Sequence, residues 1–66
     1  MSSKLIILRR NRGLSQLQLA KMCGVTQQFI QRIEKGKVTP SIKSAMKIAE
    51  ALGVTVDELI REEASA

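Results

Sequence analysis

A chain of 66 residues holds at most one domain and buries only about 60% of the surface that its unfolded form exposes, which excludes a large enzyme cleft. With one Phe, no Trp or Tyr, no His and a single Cys, it must build an aliphatic core, and it lacks the usual general base, most zinc ligand sets and any internal disulfide. Its net charge of +5 points to a polyanionic partner, although a cationic surface can also serve solubility alone.

Leu5 and Leu8 stand at helical spacing with Ile6 nearby, which predicts a first helix over residues 3–12, and Gly13 follows where a helix typically terminates. Ser15 then reads as an N-cap with Gln18 three residues on, a capping box. Leu17, Leu19, Ala20, Met22 and Cys23 supply a dense apolar face before Gly24. Thr26 caps a third helix over residues 27–35, in which Phe29, Ile30 and Ile33 recur at helical spacing before Gly36. Pro40 and Ser41 open a longer fourth helix with Ile42, Ala45, Met46, Ile48, Ala49 and Leu52 inward, closed by Gly53. Thr55 and Glu58 form another capping box, and Val56, Leu59 and Ile60 give one or two turns of a fifth helix, after which residues 62–66 are expected to fray. The expected fold is all-α: a compact five-helix domain spanning residues 1–66, with no linker, repeat array or low-complexity segment.

The charge is unevenly placed. Ten basic residues precede Ile48 (Lys4, Arg9, Arg10, Arg12, Lys21, Arg32, Lys35, Lys37, Lys43 and Lys47) against the single acid Glu34. From Ile48 onward only Arg61 opposes Glu50, Asp57, Glu58, Glu62 and Glu63. A basic body with an acidic end is the footprint of a polyanion binder with one facing side. The longest unbroken apolar run, Leu5-Ile6-Ile7-Leu8, is far short of the roughly 20 residues that span a bilayer. No signal-peptide pattern precedes it, and a lone cysteine fits a reducing compartment, so a cytoplasmic protein without membrane association is expected.

A short second helix, a three-residue turn and a short third helix cannot pack as a long antiparallel hairpin, so residues 16–35 are expected to cross steeply as a helix-turn-helix unit. The stretches LIILRRNRGLSQLQLA, GVTQQFIQRIEKGKVTPS and KIAEALGVTVDELI together cover most of the chain. They resemble the lambda-repressor/Cro class of helix-turn-helix domains, of the xenobiotic-response-element type. Several features of independent physical cause carry that resemblance. Ala20 is small where two helices must approach, Gly24 stands where the turn wants a positive φ, and Leu19, Cys23, Val25, Ile30 and Ile33 are apolar where the unit buries its inner face.

If the third helix enters a groove of double-stranded DNA, its outward positions are Gln27, Gln28, Gln31, Arg32 and Lys35. A glutamine can bond bidentately to an adenine edge, arginine suits guanine, and Thr26 offers a methyl group and a hydroxyl at the same end. The Thr-Gln-Gln start is similar to that of a phage repressor of this class whose paired glutamines read base edges. The resemblance makes Gln27 and Gln28 the first choices for base contacts, and Thr26, Gln31 and Arg32 join them as expected base contacts by their outward placement and chemistry. Any one of these side chains would ordinarily be a solvated helix surface; the run of amides without a glutamate in a basic domain favours contact. Phe29 has two readings, packing against a neighbouring helix or an apolar contact with a thymine methyl.

Phosphate contacts are expected from Gln16 at the amino end of the second helix, where backbone N–H groups stand free, and from Lys35, Lys37, Thr39 and Lys43 in or beside the connection after the third. By the resemblance, Glu34 pairs with Arg9 of the first helix as a structural ion pair. Cys23 reads as a small buried apolar residue.

The function so reached is sequence-specific DNA binding by a transcriptional regulator, a repressor acting as a dimer on a palindromic operator, with recognition helices about 34 Å apart. A two-fold contact would come from the region of Val56, Leu59 and Ile60, which could equally close the core. The alternative is a protein-interaction module, an antitoxin-like partner or an assembly domain of a larger protein. Enzymatic function is disfavoured: no serine has a base partner, Glu62 and Glu63 are adjacent and so face different ways, and EKGKVT lacks the earlier glycine of a phosphate-binding loop. No metal, cofactor or small-molecule substrate is expected.

Overall fold

Five helices follow one another in the order α1 (Ser2–Asn11), α2 (Gln16–Cys23), α3 (Gln27–Glu34), α4 (Ile42–Leu52) and α5 (Val56–Ile60), in a computed structural model that describes residues 2–60. No strand occurs among the described residues, and the architecture is the all-α, five-helix one expected. The bounds of α1 fall one residue earlier than the spacing predicts, and α3 stops at Glu34 with Lys35 as its C-cap. The segment expected to fray, 62–66, lies outside the described residues.

Local chemistry sets the helix starts. Ser15 Oγ accepts from the Gln18 N–H at 3.0 Å while Gln18 Oε1 accepts from the Ser15 N–H at 2.8 Å, the reciprocal capping box. The hydroxyls of Thr26, Ser41 and Thr55 accept from the N–H groups of Phe29, Ser44 and Glu58 at 3.1, 3.2 and 3.0 Å. At Thr55 only the threonine half of the expected box forms among the described residues. The end of α2 is closed by Gly24 at φ 72°, with the Val25 N–H donating to the Ala20 carbonyl at 3.0 Å. That is the hydrogen-bonding pattern of a left-handed glycine cap.

The core gathers Leu5 from α1, Leu19, Ala20 and Cys23 from α2, Ile30 and Ile33 from α3, Ala45, Ile48, Ala49 and Leu52 from α4, and Leu59 from α5. Helix α2 packs on α3 and α4, α1 on α3, and α5 closes on α4 and α1. Ala20 is buried in α2, where its single methyl lets the neighbouring helices approach.

Several side chains expected inward are not buried. Leu17, Met22, Ile42 and Met46 are all exposed, Ile42 by 67%. Leu17, Met22 and Met46 each sit roughly 110° around their helix from the middle of its buried stripe, beyond the arc that neighbouring helices cover. Ile42 is the first residue of α4. At the carboxyl end the three residues expected at a two-fold contact divide. Leu59 lies wholly in the core of its own protomer, Val56 is half-buried against that core, and Ile60 is exposed. Leu59 therefore closes the core and is not available for a second copy.

One long-range tie locks the turn after α1 to the end of α4. Arg12 Nε donates to the Leu52 carbonyl at 2.8 Å, and its guanidinium occupies the space into which a Cβ at Gly53 would project. It thus satisfies one of the carbonyls that a helix end leaves without a partner.

Candidate nucleic-acid interface

The inward face of α3 fixes what its outward face can do. Ile30, Ile33 and Glu34 are buried and Phe29 packs half-buried against the core, which is the packing reading of that residue. Gln27, Gln28, Gln31, Arg32 and Lys35 are all exposed. At 3.6 residues per turn these five side chains share an arc of roughly 140°, so three amides and two cations project from one side of the helix. Thr26 is exposed at its amino end, with the hydroxyl oxygen engaged in the cap. Neutral donors and acceptors flanked by positive charge are the chemistry that a base edge between phosphates requires.

Behind that face sits a buried polar cluster. Glu34 is 8% exposed, and its carboxylate accepts from Arg9 Nε at 2.6 Å and Arg9 Nη2 at 3.2 Å. Gln16 Nε2 donates to Glu34 Oε1 at 2.8 Å, and Arg9 Nη1 donates to the Leu14 carbonyl at 2.8 Å. One carboxylate thereby joins α1, the start of α2 and the end of α3. No buried side-chain nitrogen or oxygen among the described residues lacks a partner. Such a cluster specifies how the helices meet, because removing one member would strand a buried charge.

Lys37 and Thr39 are exposed on the connection between α3 and α4, directly after Lys35. Lys43 is exposed in the first turn of α4 and also borders a shallow groove of about 450 Å³ between α4 and α5, with Met46, Lys47, Val54 and Val56. Gln16 is set apart from these residues: it is half-buried at the start of α2, with its amide nitrogen bonded to Glu34. Sequence reasoning missed this bond, as it missed the Arg9 bond to Leu14 and the Arg12 bond to Leu52. Their partners lie 18, 5 and 40 residues apart, and no local pattern marks them.

Cys23 is buried at the α2–α4 contact with Sγ 3.8 Å from the Lys47 carbonyl. Burial pushes its thiol upward, opposed in part by the Lys47 charge, so the group is a neutral thiol at pH 7. No group of three or more acidic, cysteine or histidine side chains among the described residues could hold a metal ion. No helix of the described residues is long and apolar enough to cross a membrane.

Residues 5–59 match the helix-turn-helix family, a span that includes the exposed face of α3 and the buried cluster behind it. The chain belongs to that family, the Cro/C1 type of helix-turn-helix. It is 46% identical over 59 residues to an HTH-type transcriptional regulator of Methanocaldococcus jannaschii, covering 89% of each chain. It is 32% identical over 56 residues to the immunity repressor protein of Bacillus phage phi105, covering 85% of this chain and 39% of that repressor. Among solved structures it is similar to the restriction-modification controller protein C.AhdI from Aeromonas hydrophila, with a TM-score of 0.86, 32% identity and 89% of each chain covered.

Proposed function

We propose that this protein is a cytoplasmic transcription regulator, a repressor, that binds double-stranded DNA sequence-specifically by laying α3 in the major groove. The observation that carries the reading is the single exposed face of Gln27, Gln28, Gln31, Arg32 and Lys35, free of acids, on a helix whose other side is locked into the core. Thr26, Gln27, Gln28, Gln31 and Arg32 contact base edges, the paired glutamines being suited to adenine and the arginine to guanine. Lys35, Lys37, Thr39 and Lys43, with Gln16 and the unbonded backbone N–H groups at the start of α2, hold the phosphates on either side. The chain acts as a dimer on a palindromic site. Its two-fold contact uses the exposed Ile60, the half-buried Val56 and the exposed Met46 beside the α4–α5 groove, which leaves Leu59 in the core.

The test is selection of the purified chain on random duplex DNA, followed by binding to the enriched sequence at several salt concentrations. Enrichment of a two-fold symmetric motif, with affinity falling steeply as salt rises, is the expected result. Recovery of no motif would contradict the reading and favour a protein-interaction module. Enrichment of an unsymmetric motif would keep the groove reading and remove the dimer.

A further inference from the structure

The ion pair with Arg9 accounts for only part of what surrounds the Glu34 carboxylate; its third partner, Gln16, is one of the residues assigned to phosphate. We propose that Glu34, held by Arg9, is a positioning residue for DNA-backbone recognition, fixing the Gln16 carboxamide so that its second N–H meets a phosphate oxygen. This inference rests on the DNA-binding reading and deepens it.

An ionised carboxylate has no proton to give, so it must meet the Nε2 end of the glutamine amide and never the Oε1 end. The 2.8 Å bond from Gln16 Nε2 to Glu34 Oε1 therefore selects one of the two orientations that an unanchored amide would sample. Nε2 carries two N–H groups. One serves Glu34, and no hydrogen bond among the described residues uses the other, on a side chain that is only half-buried.

Arg9 makes the arrangement compatible with a phosphate nearby. A lone carboxylate this close to the DNA backbone would repel it, whereas two guanidinium bonds at 2.6 and 3.2 Å neutralise the charge. The third arm of Arg9, to the Leu14 carbonyl, fixes the pair against the loop that leads directly into α2. Gln16 is thus held from both α3 and its own approach loop before DNA arrives. An ordered side chain gives up less rotamer freedom on binding than a mobile one.

Combining Arg9→Met with Glu34→Leu gives the test, because apolar side chains of similar volume can replace a buried ion pair without loss of the fold. The exchange removes one charge of each sign and leaves the net charge at +5. Thermal unfolding checks that the double variant is folded. Duplex affinity is measured in both backgrounds, each with Gln16 and with Gln16→Ala. In the native background Gln16→Ala is expected to weaken binding about fivefold on every sequence, and in the exchanged background less than about twofold. Equal losses in the two backgrounds, or no loss in either, overturn the inference and leave the DNA reading standing. A native chain that binds no duplex overturns both.

A second measurement needs no variant. In the free native chain the Gln16 side-chain amide is expected to be ordered on the nanosecond timescale by NMR relaxation, and those of Gln27 and Gln28 mobile. Equal mobility of the three would overturn the inference.

Discussion

The tripeptide Gly-Val-Thr occurs twice, at residues 24–26 and 53–55, and the two copies fold almost identically. Gly24 has φ 72° and ψ 31°, Gly53 φ 72° and ψ 30°. Val25 and Val54 each donate to a carbonyl five residues back at 3.0 Å, and each threonine hydroxyl caps the next helix at 3.1 or 3.0 Å. Both copies end one helix, anchor a half-buried valine and start another. What differs is the helix that each one starts. After Thr26 come two exposed glutamines on a helix of eight residues that is pinned from behind through Glu34. After Thr55 come Val56, Asp57 and Glu58 on a helix of five residues, with both acids in its first turn. Acids there favour the amino end of a helix and repel phosphate. The same local device thus serves as scaffold twice, and only the first copy presents a helix suited to a polyanion.

The largest effect is expected when the first copy is made to resemble the second. Gln27→Asp with Gln28→Glu places two negative charges where the first turn of α3 would meet DNA. Affinity for any duplex is expected to fall at least about a hundredfold. Stability should hold or rise by about 0.5 kcal/mol, because acids suit a helix amino end. Chemical denaturation beside a binding titration separates the two effects, and retained binding would show that α3 does not face the DNA.

A smaller effect separates the two glycines. Gly24→Ala meets no atom within 4 Å and costs only the strain of a positive φ, about 1–2 kcal/mol. Gly53→Ala bears the same strain and must also displace the Arg12 guanidinium from its place beside the Leu52 carbonyl. We expect it to cost about 1 kcal/mol more, the value of one hydrogen bond. In an Arg12→Ala background the two glycine substitutions should become equal in urea unfolding. A difference that persists there would mean that Arg12 is not its cause.

The smallest contrast is an expected equality. Thr26→Ala and Thr55→Ala each remove one cap and should each cost about 1 kcal/mol. A cost confined to Thr26 would show that the α5 cap contributes nothing to the fold.

Much of this architecture was legible in the sequence because its signals are local. The Ser15–Gln18 box, the threonine caps and the closing glycines act within a few residues of themselves, and α1 and α3 lie within a residue of the ranges that the spacing predicts. Which apolar side chains face inward was less legible. Leu17, Met22 and Met46 widen the apolar arcs of their helices, and only the neighbouring helices decide which part of an arc is covered. The division of Leu59 from Ile60 is of the same kind. Least legible were the bonds of Arg12 to Leu52 and of Gln16 to Glu34. Arginine and glutamine are ordinary surface residues until the tertiary fold brings a carbonyl or a carboxylate within reach. The outward face of α3 was readable for the opposite reason, since a helix with a fixed inner stripe leaves its other positions no choice.

Whether the helix after Thr26 reads base edges is decided by the base preference of Gln28→Ala, measured against the native chain on every single-base variant of the selected site. Discrimination is expected to fall by about 1–3 kcal/mol at one base pair in each half-site, with the other positions unchanged. An identical preference profile in the two proteins would contradict base reading by that helix.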